Sequence, residues 1–173
     1  MPRHFASFAF VCAALASACT APSTSDSPAS TPPSAATPAT APAPAATGRA
    51  IEITANDTMK FSVTEIAAKP GEALTVTLVN VGTTPKFSMG HNWVLLQAGT
   101  DAQAFVVAAA EAVTTDYVPA AEKAKIVAST KLLGPKERDA VTFTAPTTPG
   151  RYEFVCSFPG HFQVGMRGVL VVR

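Results

Sequence analysis

Beyond residue 50 the sequence predicts an all-β domain, a sandwich or barrel, interrupted by one helix. Three observations carry this: short runs rich in β-branched and aromatic residues, turn residues between them, and one alanine-rich stretch of different texture. The runs are "IEIT" (51–54), "ALTVTLVN" (73–80), "HNWVLLQ" (91–97), "AKIVAS" (124–129), "AVTFTA" (140–145), "RYEFVC" (151–156) and "RGVLVVR" (167–173). Asn56-Asp57, Pro70-Gly71, Gly82, Gly134-Pro135 and Pro149-Gly150 punctuate them. Seven or so short strands spaced this way suggest antiparallel pairing. The exception is "TDAQAFVVAAAEAV" (100–113), alanine-rich and opening with Thr100-x-x-Gln103, which reads as a capping box and a helix inserted between strands.

The preceding segments read differently. Residues 1–19 have the layout of an export signal: Arg3, the apolar "FASFAFVCAAL" (too short to span a bilayer), then the small residues "ASAC". Two cleavages fit. Ala16 and Ala18 form an A-x-A site, whereas small residues directly before Cys19 resemble the bacterial lipoprotein signal, in which that cysteine is lipidated. Leu15 lies four residues before Cys19, where that pattern prefers three. Residues 20–48 are nearly all Ala, Pro, Ser and Thr, with one charge and no aromatic. Such a composition cannot bury a core, so a disordered tether is expected, reaching roughly 90 Å when extended at ~3.1 Å per residue. The domains are thus 1–19, 20–48 and 49–173.

Charge excludes one class of partner. Charged residues make up 14% of the 173, and setting aside Arg3 and Asp26 leaves 12 basic against 11 acidic. That balance creates no field to attract nucleic acid.

Cysteine and histidine counts point elsewhere. Of three cysteines, Cys12 and Cys19 fall in the signal, so Cys156 stands alone in the domain and has no internal disulfide partner. His4 is also in the signal, leaving His91 and His161. Every histidine and cysteine of the domain therefore lies in "GHNW" or "CSFPGH", with Met166 shortly after. One thiolate, two imidazoles and a weak thioether match the His₂Cys site with a long axial methionine that holds blue copper; structural zinc prefers four firm ligands. Alternation of Tyr152, Phe154 and Cys156 with Glu153 and Val155 places the thiol on the core face at a strand's end. The Pro-Gly turn then swings His161 back, Met166 precedes the last strand, and His91 begins another.

"MGHNW" followed by "CSFPGH" and a methionine resembles the cupredoxins, and within them the azurins and auracyanins. "NDTMKF" and "TKLLG" extend the resemblance over about 51–173. It implies a Greek-key β-sandwich and a single copper cycling between Cu(I) and Cu(II). His91, Cys156 and His161 would be equatorial ligands, Met166 the axial ligand and the Gly90 carbonyl a weak contact opposite. Asn92 would tie the two ligand loops together, and Trp93 would follow in the strand. Met59, Met89, Phe158 and Pro159 would belong to an apolar docking patch around His161, whose place in an exposed turn makes its ring edge the door for electrons. The Pro/Ala-rich tether behind Cys19 is similar to that of lipid-modified azurins.

Four residues separate His161 from Met166, where azurins have three and plastocyanin-type loops four. The disulfide common in azurins is absent, and Asn80 and Ser129 stand where azurins often carry extra histidines. The expected function is a blue-copper electron carrier, not an enzyme, working with redox proteins such as c-type cytochromes, reductases or oxidases through weak docking. Its place is the periplasm, anchored through Cys19 or else soluble; Thr20, in place of a retaining aspartate, leans toward the outer membrane. Alternatives are a copper-binding or delivery protein without redox turnover, and a tethered interaction module. The module leaves the coincidence of soft ligands unexplained.

Overall fold

A computed structural model describes residues 48–173; the signal, Cys19 and all but the last residue of the tether lie outside the described residues. Eight strands form two sheets. Strands β1 (Arg49–Ala55), β3 (Ala73–Asn80) and β6 (Arg138–Thr144) make one, in the order β1-β3-β6. The other contains β2 (Glu65–Ala68), β4 (Val94–Leu96), β5 (Ile126–Ser129), β7 (Gly150–Val155) and β8 (Arg167–Val172), in the order β2-β8-β7-β4-β5. The domain is mostly β, and the expected helix is inserted between two strands, nine residues long.

The expectation of purely antiparallel pairing needs correction. Strands β1 and β3 run parallel, as do β2 and β8. After β1 the chain crosses to the other sheet for β2 and returns for β3, so β1 and β3 point the same way. Turn residues mark where strands end, not which sheet the next one joins. Strand β2, "EIAA", is an eighth strand that escapes sequence reading: it has four residues, two of them alanine, and is held by pairing with β8.

Period-two patterning builds the main core. In β3, Leu74, Val76, Leu78 and Asn80 point inward, while Thr75 and Thr77 are less buried. Tyr152, Phe154 and Cys156 continue that face from β7. Strand β4 is different, for Val94, Leu95 and Leu96 are all fully buried. Leu95 belongs to the core between the sheets, whereas Val94 and Leu96 join a second cluster beneath the inserted helix. A strand covered on both faces reads as an unbroken apolar run.

Two short helices precede and follow β4: α1 (Lys86–Met89) and α2 (Ala102–Ala110). Helix α2 buries Ala102, Phe105, Val106 and Ala109, spaced i, i+3, i+4, i+7 along one face. The expected Thr100–Gln103 capping box is not formed. Asp101 is the N-cap, its carboxylate accepting from the Ala104 N–H at 3.0 Å, while the Thr100 N–H is spent in a turn with the Gln97 carbonyl. Helix α2 also stops short of 113, giving way to a 3₁₀ turn over Val113–Thr115. Asp116 and Tyr117 follow, both at positive φ (57° and 59°).

Candidate metal centre

The segment bearing His91 is fixed by backbone geometry before any side chain acts. Gly90 is buried, and a Cβ there would lie 2.7 Å from the Lys86 carbonyl oxygen and 2.9 Å from Leu132 Cγ, so only glycine fits. His91 then pairs with Leu133 through two bonds, 3.1 Å from its own N–H and 2.8 Å to its carbonyl. It forms this isolated bridge ahead of β4, which itself begins at Val94. Trp93 is fully buried in the main core, as expected.

The second segment runs from Cys156 to Met166 and closes on itself. The Cys156 N–H donates to the Met166 carbonyl at 3.0 Å, the His161 N–H to the Phe158 carbonyl at 3.1 Å, and the Met166 N–H to the His161 carbonyl at 3.0 Å. Gly160 supplies the left-handed turn, φ 84°, that reverses the chain before His161. Met166 is fully buried in the main core.

These segments bring His91, Cys156 and His161 together. One donor atom from each lies within 4.8 Å of the others. Cys156 Sγ stands 3.4 Å from His161 Nδ1, and the two imidazole centroids are 4.9 Å apart. Exposure is 0% for His91 and Cys156 and 2% for His161. The expected exposed ring edge is therefore not found: Pro159, Gly160, Gln163 and Val164 carry the loop's exposure, and Phe158 covers the His161 ring at 4.7 Å.

Burial sets the protonation of all three groups. The Cys156 thiol is pushed up to about 12 by desolvation, against the pull of the Asn92 and Phe158 backbone N–H groups. His161 falls to about 4, through burial first and then His91. His91 is lowered by burial, partly offset by the Asp57 carboxylate and the Asn56 carbonyl. That carbonyl influences the ring without reaching hydrogen-bond geometry, for neither His91 ring nitrogen has a partner. At neutral pH the pocket holds a thiol and two neutral imidazoles. A buried nitrogen left unbonded costs about 1–3 kcal/mol, a cost that a metal ion would relieve. The soft donor set and the orphaned nitrogens fit a type 1 copper ion.

Around the donors runs a hydrogen-bond network built on Asn92 and Ser157. The Asn92 amide donates to the Asp116 carbonyl (2.9 Å) and to Ser157 Oγ (2.8 Å), and its oxygen accepts the Ser157 N–H (2.8 Å). Ser157 Oγ donates in turn to the Tyr117 carbonyl at 2.6 Å. Sequence reading singled out Asn92 but missed Ser157 and the Asp116–Tyr117 turn. Only the left-handed tolerance of Asp116 hinted at that turn. Of the expected patch, Met59 and Met89 are half-buried, Phe158 is 8% exposed and Pro159 is exposed.

Comparison with known proteins decides the family. The profile described as copper binding proteins, plastocyanin/azurin family, matches residues 48–173. The chain belongs to that family. Azurin of Pseudomonas chlororaphis is 36% identical over 126 residues, covering 71% of this cupredoxin chain and 97% of the azurin. Outer membrane protein H.8 of Neisseria gonorrhoeae is 41% identical over 114 residues, which cover 65% of this chain and 61% of that protein. Reduced auracyanin of Roseiflexus castenholzii superposes with a TM-score of 0.65 at 36% identity, covering 72% of this chain and 96% of that one. Copper is thus the cofactor of the family, and the likeness supports copper-linked electron transfer.

Proposed function

We propose that this cupredoxin is a mononuclear blue-copper electron carrier, whose ion would be held by His91, Cys156 and His161, with the Met166 thioether and the Gly90 carbonyl as weaker contacts. The observation that carries the reading is the convergence of one thiol and two neutral imidazoles in a closed pocket where neither His91 ring nitrogen has a hydrogen-bond partner. Bound copper supplies a one-electron couple between its cuprous and cupric states. The chain supplies everything that keeps that couple fast. The imidazoles offer lone pairs without first losing a proton, and only Cys156 must release one on binding. Backbone N–H groups of Asn92 and Phe158 aim at the sulfur, and Asn92 ties the His91 segment to the Cys156 loop. Donors fixed on two hydrogen-bonded segments keep their geometry when the charge of the site changes. Apolar walls exclude water.

Partners are c-type cytochromes, reductases or oxidases, docking weakly at the patch that includes Met59, Met89, Phe158 and Pro159. With His161 at 2% exposure, its electron path to a partner passes through the Phe158 and Pro159 side of the loop. Hand-over of copper is disfavoured by the same enclosure. The first 19 residues act as an export signal and Cys19 as the lipidation site, with residues 20–48 tethering the domain to the periplasmic face of a membrane. The similarity to an outer membrane protein supports that placement. Labelled fatty acid should appear on the wild type and not on Cys19→Ser; equal labelling would refute lipidation there.

The visible and paramagnetic-resonance spectra of the purified chain with one equivalent of cupric ion test the carrier reading. An intense blue thiolate charge-transfer band, absent in Cys156→Ser, is expected. A colourless loaded protein would overturn the proposal.

A further inference from the structure

Building on the copper-carrier reading, we infer that Phe162 is a positioning residue: by locking into the apolar cluster beneath α2, it holds the His161–Met166 loop against the inserted helix. Of the four residues between those two, Gln163 and Val164 are exposed and Gly165 is half-buried. Few bonds hold the loop from within: the Gly165 N–H to the Phe162 carbonyl at 2.9 Å and the Met166 N–H to the His161 carbonyl at 3.0 Å. Exposed turns with so little support open readily.

Phe162 supplies the missing anchor. It is 7% exposed, and it belongs not to the core between the sheets but to the cluster of Phe105, Val106 and Ala109 from α2 with Val94, Leu96 and Val155 from the sheet. The Arg167 guanidinium lies 4.9 Å from its ring centroid, closing the outer side. A second tether reaches the same loop, because the Lys60 ammonium donates to the Val164 carbonyl. On the other side of His161, Phe158 is held in the main core and meets the Tyr117 ring edge-on at 5.0 Å. The imidazole is thus carried on a chain pinned by one phenylalanine in each cluster. Helix α2 contributes no ligand, yet through Phe162 it fixes where His161 and Met166 sit.

The test uses the full chain in a graded series, Phe162→Leu, Phe162→Val and Phe162→Ala, with Leu74→Ala in the main core as a control for lost stability alone. Hydrogen exchange is read in the metal-free protein, and reduction potential and paramagnetic spectrum in the copper-loaded one. As apolar volume falls along the series, the Gly165 and Met166 amides should exchange progressively faster, by roughly tenfold or more in Phe162→Ala. The potential should move and the copper signal broaden in the same order, with Phe162→Leu nearest to wild type. Leu74→Ala should melt earlier and leave both copper readouts in place. If Phe162→Ala does not fold, the step from Leu to Val must still show the gradient. Native exchange and potential throughout the series, or equal shifts in Leu74→Ala, would overturn the inference. Absence of a blue signal in the wild type would instead count against the carrier reading, while exchange in the metal-free chain would still test Phe162.

Discussion

Replacing Asn92 by alanine removes a side chain whose hydrogen bonds are all internal. Two groups lose their partners. The Ser157 N–H is fully buried, and its orphaning costs about 1–3 kcal/mol; the half-buried Asp116 carbonyl, which water can partly reach, adds about 1 kcal/mol. Ser157 Oγ keeps the Tyr117 carbonyl and adds little. The sum is a loss of about 2–4 kcal/mol in the metal-free protein, measured by urea unfolding of wild type and variant. The two left-handed residues, Asp116 and Tyr117, lose one of the bonds that keep them in that conformation, so the loss should lie toward the upper end. A loss below about 0.5 kcal/mol, the scale of an ordinary surface substitution, would show that the network does not hold the two ligand segments together.

Gly90→Ala should cost about 1–3 kcal/mol in thermal melts, because the new methyl meets a backbone oxygen and Leu132; an unchanged melt would mean that α1 yields freely. Asp101→Ala should lose about 1 kcal/mol and Thr100→Ala less than about 0.5 kcal/mol, and the reverse order would restore Thr100 as the cap of α2. Acid should weaken the metal-free chain. His161 titrates near 6.5 when unfolded and at about 4 when folded, so the stability it contributes is complete above pH 6.5 and disappears as pH falls toward 4. The loss is about 3 kcal/mol, with His91 acting in the same direction, and a flat urea midpoint across that window would refute it.

What the sequence discloses depends on how local the cause is. Strand alternation, the alanine-rich texture of α2 and the gathering of soft donors in two segments are local patterns, and each survives into the fold. The buried run Val94–Leu96 could be read as a strand, but its reason, the cover of α2 on the outer face, is tertiary. Strand β2 stayed hidden because Ala67 and Ala68 have little preference for extended chain and take it from β8. Parallel pairing of β1 with β3 follows from a crossing between sheets that no turn residue encodes. Ser157 looks like any turn serine until the fold brings Tyr117, forty positions earlier, to its hydroxyl. Phe162 looks like a loop residue until α2 closes over it. The burial of His161 departs from the sequence expectation for a related reason: a Pro-Gly turn lies at the surface, but the chain it reverses points the ring inward against His91 and Phe158.

X-ray absorption at the copper edge of the loaded protein reads the donor atoms around the metal. One short sulfur and two imidazole nitrogens are expected around a single copper, with the sulfur lost in Cys156→Ser. A copper ion surrounded only by nitrogen and oxygen would contradict the account, since the Cys156 thiol, buried 3.4 Å from the His161 ring, would then have no part in binding it.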